Sequence, residues 1–271
     1  THTTEGDPHA GLDCLEAAEA VASAAQDDLA LASVLNTRAG TYFSLGEMDQ
    51  AEALFDRVRS LATRVGAPKL EALALPNLGT VASIKGDDVL ALRYFQKSLA
   101  EFEGLHETSY VGPLLNNIGR LQADLHQDEE AERTLQRARA MCLEQGDRHH
   151  LIIVEVNRAR VMLRADEPSN ALTTAESARE IAESCGDDRW IGDILLVSGA
   201  AHLRIGNTEL GLNLLGRASE IARTREDPKL MADVVLEQAR GLRTAGRNRD
   251  TLLRLNEARA LFERLRARRD L

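Results

Sequence analysis

The chain has 271 residues and a formal charge of −10 at pH 7, and aromatic residues make up only 3% of it. This acidic balance argues against a nucleic-acid partner, because phosphate binding depends on basic side chains and single strands stack on aromatic rings. No apolar run in the sequence approaches the roughly 20 residues that span a bilayer, so we expect no membrane partner either.

Residues that could carry catalysis or hold a metal are few. Cys14, Cys142 and Cys185 show no CxxC spacing, which is typical of small buried residues in a reducing compartment and predicts a cytoplasmic protein. His149 and His150 are adjacent, and adjacent residues on a helix point about 100° apart, too far to chelate one metal together. The sequence contains no phosphate-binding glycine loop and no HExxH motif. We therefore expect no enzyme, no metal and no cofactor.

A forty-residue spacing runs through the chain. Glycines recur at this interval or its multiples: Gly6, Gly46, Gly86, Gly206 and Gly246. His126 and Asp166 fill the two remaining slots, and a second set of breaks follows twenty residues later, at Gly66, Gly146 and Gly186. Between the breaks, apolar residues recur about every 3.6 positions, which predicts helices of about 16–18 residues.

These breaks predict the organisation of the chain from one end to the other. A lone helix at 7–25 comes first, and six helix pairs follow, so that 1–271 form one solenoid. The predicted pairs are 28–65, 68–105, 108–145, 148–185, 188–225 and 228–266. Within each pair, recurring small residues mark where the two helices cross closely. The unpaired first helix indicates a piece cut from something longer.

The order of residues within each unit resembles the tetratricopeptide repeat (TPR). The clearest copy is Leu75, Gly79, Gly86, Ala91, Phe95 and Ser98. The resemblance covers essentially the whole chain, although the family's unit is usually about 34 residues long. Units of forty residues resemble those of bacterial signalling and transcription regulators. The resemblance implies an all-α, right-handed superhelical solenoid of antiparallel helix pairs, whose concave groove holds an extended peptide or a partner's helix.

Polar side chains recur at one position of the first helix in successive pairs. This position, with its neighbours in the same helices, supplies the predicted groove residues: Asn77, Asn117, Asn157, Asn116, Asn36, Arg120 and Arg160. An amide both donates and accepts, so a row of amides matches the backbone of an extended peptide, and a guanidinium suits an acidic side chain or a terminal carboxylate. The alternative is that the asparagines bond to neighbouring helices and waters and that the arginines are solvated.

The end of the chain, LNEARALFERLRARRDL, is basic and amphipathic. It resembles a last TPR helix that leads into a linker and an output domain, such as a cyclic-di-GMP enzyme or a transcription activator. Our leading hypothesis is a non-catalytic module that binds a protein or peptide, as the sensory part of a larger bacterial signalling protein. The alternative is a structural scaffold that self-associates through the ends of the solenoid, supported by the unpaired first helix and the terminal apolar stripe.

Overall fold

The computed structural model describes residues 8–267. In that range the chain forms thirteen α-helices, two short 3-10 turns and no strand, which confirms the predicted all-α class. The helices are α1 Pro8–Ala24, α2 Asp28–Leu45, α3 Met48–Val65, α4 Pro68–Ile84, α5 Asp88–Gly104, α6 Val111–Asp124, α7 Asp128–Gln145, α8 Arg148–Arg164, α9 Pro168–Cys185, α10 Ile191–Ile205, α11 Thr208–Thr224, α12 Pro228–Thr244 and α13 Asn248–Ala267.

The chain divides into two compact units, the first ending at Leu114 and the second beginning at Leu115, within α6. In the first unit, each helix from α1 to α5 packs against the next along the chain. In the second unit, the helices from α7 to α13 do the same. Each unit is therefore built from helices that bury their apolar faces against their neighbours in sequence. A single solenoid over 1–271 and its right-handed twist stay predictions.

The turns between helices share a left-handed residue at the forty-residue slots. Gly46 has φ of 82° and Gly206 has φ of 96°. His126 and Asp166, which replace glycine at two slots, adopt the same conformation, with φ of 61° and 59°. A left-handed backbone costs an ordinary L residue about 1–2 kcal/mol. The turn therefore imposes this conformation on His126 and Asp166 although they are not glycine.

The small residues of the repeat lie where the two helices of a pair cross. In the crossing of α10 with α11, a Cβ atom added to Gly211 would lie 2.8 Å from the carbonyl oxygen of Gly199. A Cβ atom added to Gly199 would lie 2.8 Å from Cγ of Leu215. Real Cβ contacts are longer than this, so the two backbones approach closely only because both residues are glycine.

Pro76 lies inside α4 and has no N–H to donate to the carbonyl of Ala72, four residues earlier. A side chain of the next helix satisfies this carbonyl instead: the hydroxyl of Ser98, fully buried in α5, donates to it at 2.9 Å. Ser98 occupies a position that is alanine or valine in the other repeats, and its hydroxyl has this carbonyl as a specific partner.

We expect Ser98→Ala to destabilise the first unit by about 1–3 kcal/mol, because it leaves a buried carbonyl without a donor. The cost should shrink in a Pro76→Ala background, where residue 76 regains an N–H for the same carbonyl. Urea unfolding of the four variants of this cycle measures both effects. Equal cost of Ser98→Ala in the two backgrounds would show that the hydroxyl does not serve this carbonyl.

A buried carboxylate joins α7 and α8. Glu155 is 2% exposed and accepts from Nε of Arg139 at 2.6 Å and from Nη1 of Arg158 at 3.0 Å. Arg158 also donates through Nη2 to Oε1 of Glu132 at 2.8 Å. The two arginines and two glutamates balance in charge, which is the condition under which a charged group can be buried.

The sequence predicts that all three cysteines are buried, and the structure confirms this only in part. Cys142 is buried, which raises the pKa of its thiol to about 11, and Cys185 is half-buried. Cys14 is exposed, so the prediction is wrong for this residue, because α1 turns that face to solvent. Among residues 8–267, no helix combines the length and the apolar character needed to cross a bilayer.

The outer face of α13 carries exposed apolar side chains. Leu255 is 41% exposed and Phe262 is 40% exposed. The residues forty positions earlier, Leu215 and Ala222, are 0% and 1% exposed. In α11 these positions belong to the core of the second unit, whereas in α13 the described residues leave about two-fifths of each side chain exposed.

Candidate functional site

The second unit contains an open cavity of about 350 Å³ between the first helices of successive pairs. Helices α6, α8, α10 and α12 each contribute side chains to it. Its apolar lining residues are Ala123, Val161, Leu163, Leu196, Val197, Ala200 and Leu236. Because the helices repeat in sequence, each offers the same face, and the lining residues recur near the same positions of the forty-residue unit.

Charged side chains surround this apolar lining. The cations are Arg120, Arg160, Arg164, Arg204, Lys229 and Arg240, and the acids are Asp124, Asp233 and Glu237. Two further acids outside the lining, Asp193 and Asp128, pair with Arg160 and Arg164, so the lining keeps a small excess of cations although the chain as a whole carries a charge of −10. A concave surface of this sign favours a ligand with negative charge.

Three of the arginines have close partners of their own. Arg120 pairs with Asp124 at 3.0 Å, one turn along α6. Arg160 pairs with Asp193 of α10 at 2.5 Å. Arg164 pairs with Asp128 of α7 at 3.0 Å. Their charges are largely neutralised by the protein itself.

The remaining cations are less well compensated. Arg240 forms a close ion pair with Glu237, and Arg204 reaches the same Oε1 atom only at 4.0 Å. Two guanidinium groups therefore share one carboxylate. Within the described part of the chain, Lys229 has no carboxylate within ion-pair distance of its ammonium group.

Asp233 is the acid in the middle of the α12 lining. Burial raises the pKa of its carboxyl group, Asp193 and Glu237 add to this effect, and Arg160 and Lys229 oppose it. No residue in 8–267 donates a hydrogen bond to this carboxylate. Asp233 is half-buried and lines the cavity, so its carboxylate is open to a donor from solvent or from a ligand.

Two of the predicted asparagines bond to each other. Nδ2 of Asn157 donates to Oδ1 of Asn116 at 2.9 Å, and both residues are 7% exposed. Asn157 also lines the cavity, so one amide links the lining to the interior of the second unit. This bond between α8 and α6 fits the alternative given in the sequence analysis, in which the asparagines bond to neighbouring helices.

The other predicted residues differ in their surroundings. Asn117 is half-buried in α6 and does not line the cavity. Asn77 donates to the carbonyl of Leu73 in its own helix at 3.4 Å, and Asn36 has a buried Oδ1 without a donor. Both belong to the first unit. Of the seven predicted groove residues, the lining of the second-unit cavity includes Asn157, Arg120 and Arg160.

The prediction missed the residues that α10 and α12 contribute. Glu237 occupies the same repeat position as Asn157, and Arg240 the same position as Arg160, so the periodicity carried a signal for both. Arg204 likewise lies forty residues after Arg164. The sequence already placed Glu237 and Arg240 at these positions, but the predicted groove set stopped at α8 and left them out.

Comparison with known proteins supports the repeat assignment. The family model of the tetratricopeptide repeat matches residues 30–104 and, overlapping them, 70–144. Residues 30–144 are tetratricopeptide repeats. This match confirms the resemblance seen in the sequence. No curated protein matches the chain.

Solved structures extend the TPR-like fold over nearly all of the chain. The apo form of RapI has a TM-score of 0.82 and 15% identity, with 95% of this chain and 93% of that one covered. Aspartyl phosphate phosphatase F from Bacillus subtilis has a TM-score of 0.78 and 12% identity, with coverages of 94% and 68%. The Rap conjugation gene regulator of plasmid pLS20, in complex with the Phr* peptide, has a TM-score of 0.63 and 12% identity, with coverages of 90% and 77%. At these identities the likeness concerns the TPR-like fold.

Proposed function

We propose that the chain is a non-catalytic regulatory module that binds an extended peptide, or an extended segment of a partner protein, in the cavity of the second unit. The cavity between α6, α8, α10 and α12 carries the proposal, because it joins an apolar floor to unused charged and amide groups. One structural relative of this fold was solved with a peptide bound, which supports the same class of ligand.

The chemistry of the lining suits a peptide backbone. Apolar side chains of the ligand would cover the floor, while its N–H and C=O groups would meet acceptors and donors at the rim. Asp233 offers an acceptor, and Asn157 offers the second hydrogen of its amide beside its bond to Asn116. Few precisely placed polar groups around an apolar floor are the usual make-up of a ligand site.

A peptide pool tests this proposal. The immobilised protein is exposed to an equimolar pool of randomised hexapeptides, half with free and half with amidated C-termini, and bound peptides are sequenced by mass spectrometry. We expect the pool to be enriched in a common sequence pattern. The double variant Asn116→Leu/Asn157→Leu should lose the enrichment while keeping its helix content, because replacing both partners of a buried bond leaves neither unsatisfied.

Asn213→Leu is the matched control, since this residue lies exposed on α11 and does not line the cavity. It should select the same peptides as the natural protein. Enrichment that survives in the double variant would place binding elsewhere, and an unenriched pool would contradict the proposal itself.

The output that this module would regulate is a further part of the proposal. A neighbouring domain with cyclic-di-GMP or transcription activity is consistent with TPR-like regulators, and the basic end of the chain suits a linker. Three further statements stay predictions: the protein is cytoplasmic, it is not an enzyme, and it self-associates through the ends of the solenoid. The exposed Leu255 and Phe262 of α13 favour the last of these as the second candidate, with another copy of the chain as the partner.

A further inference from the structure

We propose that the ligand of this cavity carries a carboxylate that binds at Arg204 and Arg240, and an N–H group, about three residues away, that is donated to Asp233. This inference rests on the proposed function and assigns a ligand chemistry to the same cavity. It also assigns the anion-binding role, which the predicted set gave to Arg120 and Arg160, to Arg204 of α10 and to Arg240 of α12, which shares their repeat position.

The ion pairs of the lining decide which arginines can take a ligand carboxylate. Arg120 and Arg160 each already hold a carboxylate, at 3.0 and 2.5 Å. Arg204 and Arg240 share the single carboxylate of Glu237, and the distance from Arg204 is 4.0 Å. A second carboxylate would balance this group, and a guanidinium can bind it through two parallel N–H bonds.

Asp233 is an acceptor, so it suits a hydrogen-bond donor of the ligand and not the ligand's carboxylate. Its carboxylate lines the cavity and receives no hydrogen bond from the residues that the structure describes. A donor on the ligand, either an amide N–H or an ammonium group, would satisfy it. Burial already raises the pKa of this carboxyl group, so the side chain gains from a donor that the protein does not supply.

The spacing of these groups sets the length of the ligand. Asp233 and Arg240 lie seven residues apart on α12, which corresponds to about 10 Å at 1.5 Å per residue. An extended peptide covers about 3.3–3.6 Å per residue, so roughly three residues separate the donor from the carboxylate. The carboxylate can be the C-terminus of a peptide or an Asp or Glu side chain, and both have the same chemistry at Arg204.

The peptide pool described above distinguishes these sources. We expect the natural protein to select peptides with Asp, Glu or a free C-terminus at one position. For the best selected peptide, Arg204→Gln should weaken binding roughly tenfold or more, the effect of losing a charge-assisted hydrogen bond. The neutral counterpart of that peptide, with Gln, Asn or an amidated C-terminus, should bind both proteins equally. Asp233→Ala should weaken the acidic and neutral peptides alike.

Arg217→Gln provides the control, because it removes the same charge from an exposed position on α11 outside the cavity. It should leave every affinity within about twofold, the scale of surface charge effects. Selection of peptides without a carboxylate preference, or equal weakening of acidic and neutral peptides by Arg204→Gln, would overturn this inference and leave the proposed function standing. A pool that is not enriched at all would overturn both.

Discussion

Alanine at position 211 is expected to lower the free energy of unfolding of the second unit by about 1–3 kcal/mol, the usual cost of overpacking a core. The added methyl group would lie 2.8 Å from the carbonyl oxygen of Gly199 and 2.8 Å from Cγ of Leu203. The side chain of Leu203 can rotate, but the backbone of Gly199 belongs to a helix, so α10 and α11 must move apart.

The same substitution at Gly216 makes a matched control. Gly216 also lies in α11, and a Cβ atom added there meets nothing within 4 Å. Gly216→Ala should raise stability by about 0.5–1 kcal/mol, because alanine has the better helix propensity. Denaturant midpoints of the two variants should therefore move in opposite directions. A shift of Gly211→Ala toward higher stability would mean that the two backbones do not approach as described.

Removal of the Arg158 side chain is expected to cost about 2–3 kcal/mol. The carboxylate of Glu155, 2% exposed, would keep Arg139 as its single partner, and Glu132 would lose its bond to Nη2 of Arg158. Breaking a buried pair costs about 3–5 kcal/mol when the remaining charge is left alone, and Arg139 reduces that figure here.

Arg133→Ala serves as the control for this prediction. Arg133 lies on α7, one of the two helices that the buried network joins, but its side chain is 69% exposed and its partners lie at 3.4 and 3.6 Å. Exposed pairs of this kind contribute about 0–1 kcal/mol. Thermal and urea unfolding compare the two variants directly. Similar losses for Arg158→Ala and Arg133→Ala would show that the network around Glu155 does not behave as a buried one.

The fold was predictable from the sequence because its signals are local. Glycines at fixed intervals mark turns, and apolar residues at helical spacing mark the faces that pack. Gly199 and Gly211 were visible as small residues of the repeat before any crossing was known. The left-handed His126 and Asp166 were visible only as gaps in the glycine series, since their conformation depends on the turn and not on their residue type.

The candidate site was less predictable because its chemistry depends on pairs between helices. Arg160 is neutralised by Asp193, which lies 33 residues later on a neighbouring helix, and the tilt between the two helices decides that contact. Asn157 bonds to Asn116 instead of standing free in the lining. The periodicity placed polar residues on the inner face, but it could not tell which of them the protein itself would satisfy.

The partly exposed face of α13 bears on how this helix is held in the second unit. Among the described residues, α13 packs on α12, and α12 packs on both α11 and α13. α12 also carries Asp233, Glu237 and Arg240, so a ligand held by these side chains is bound to the helix against which α13 packs. Binding there should therefore also reduce the local fluctuations of α13.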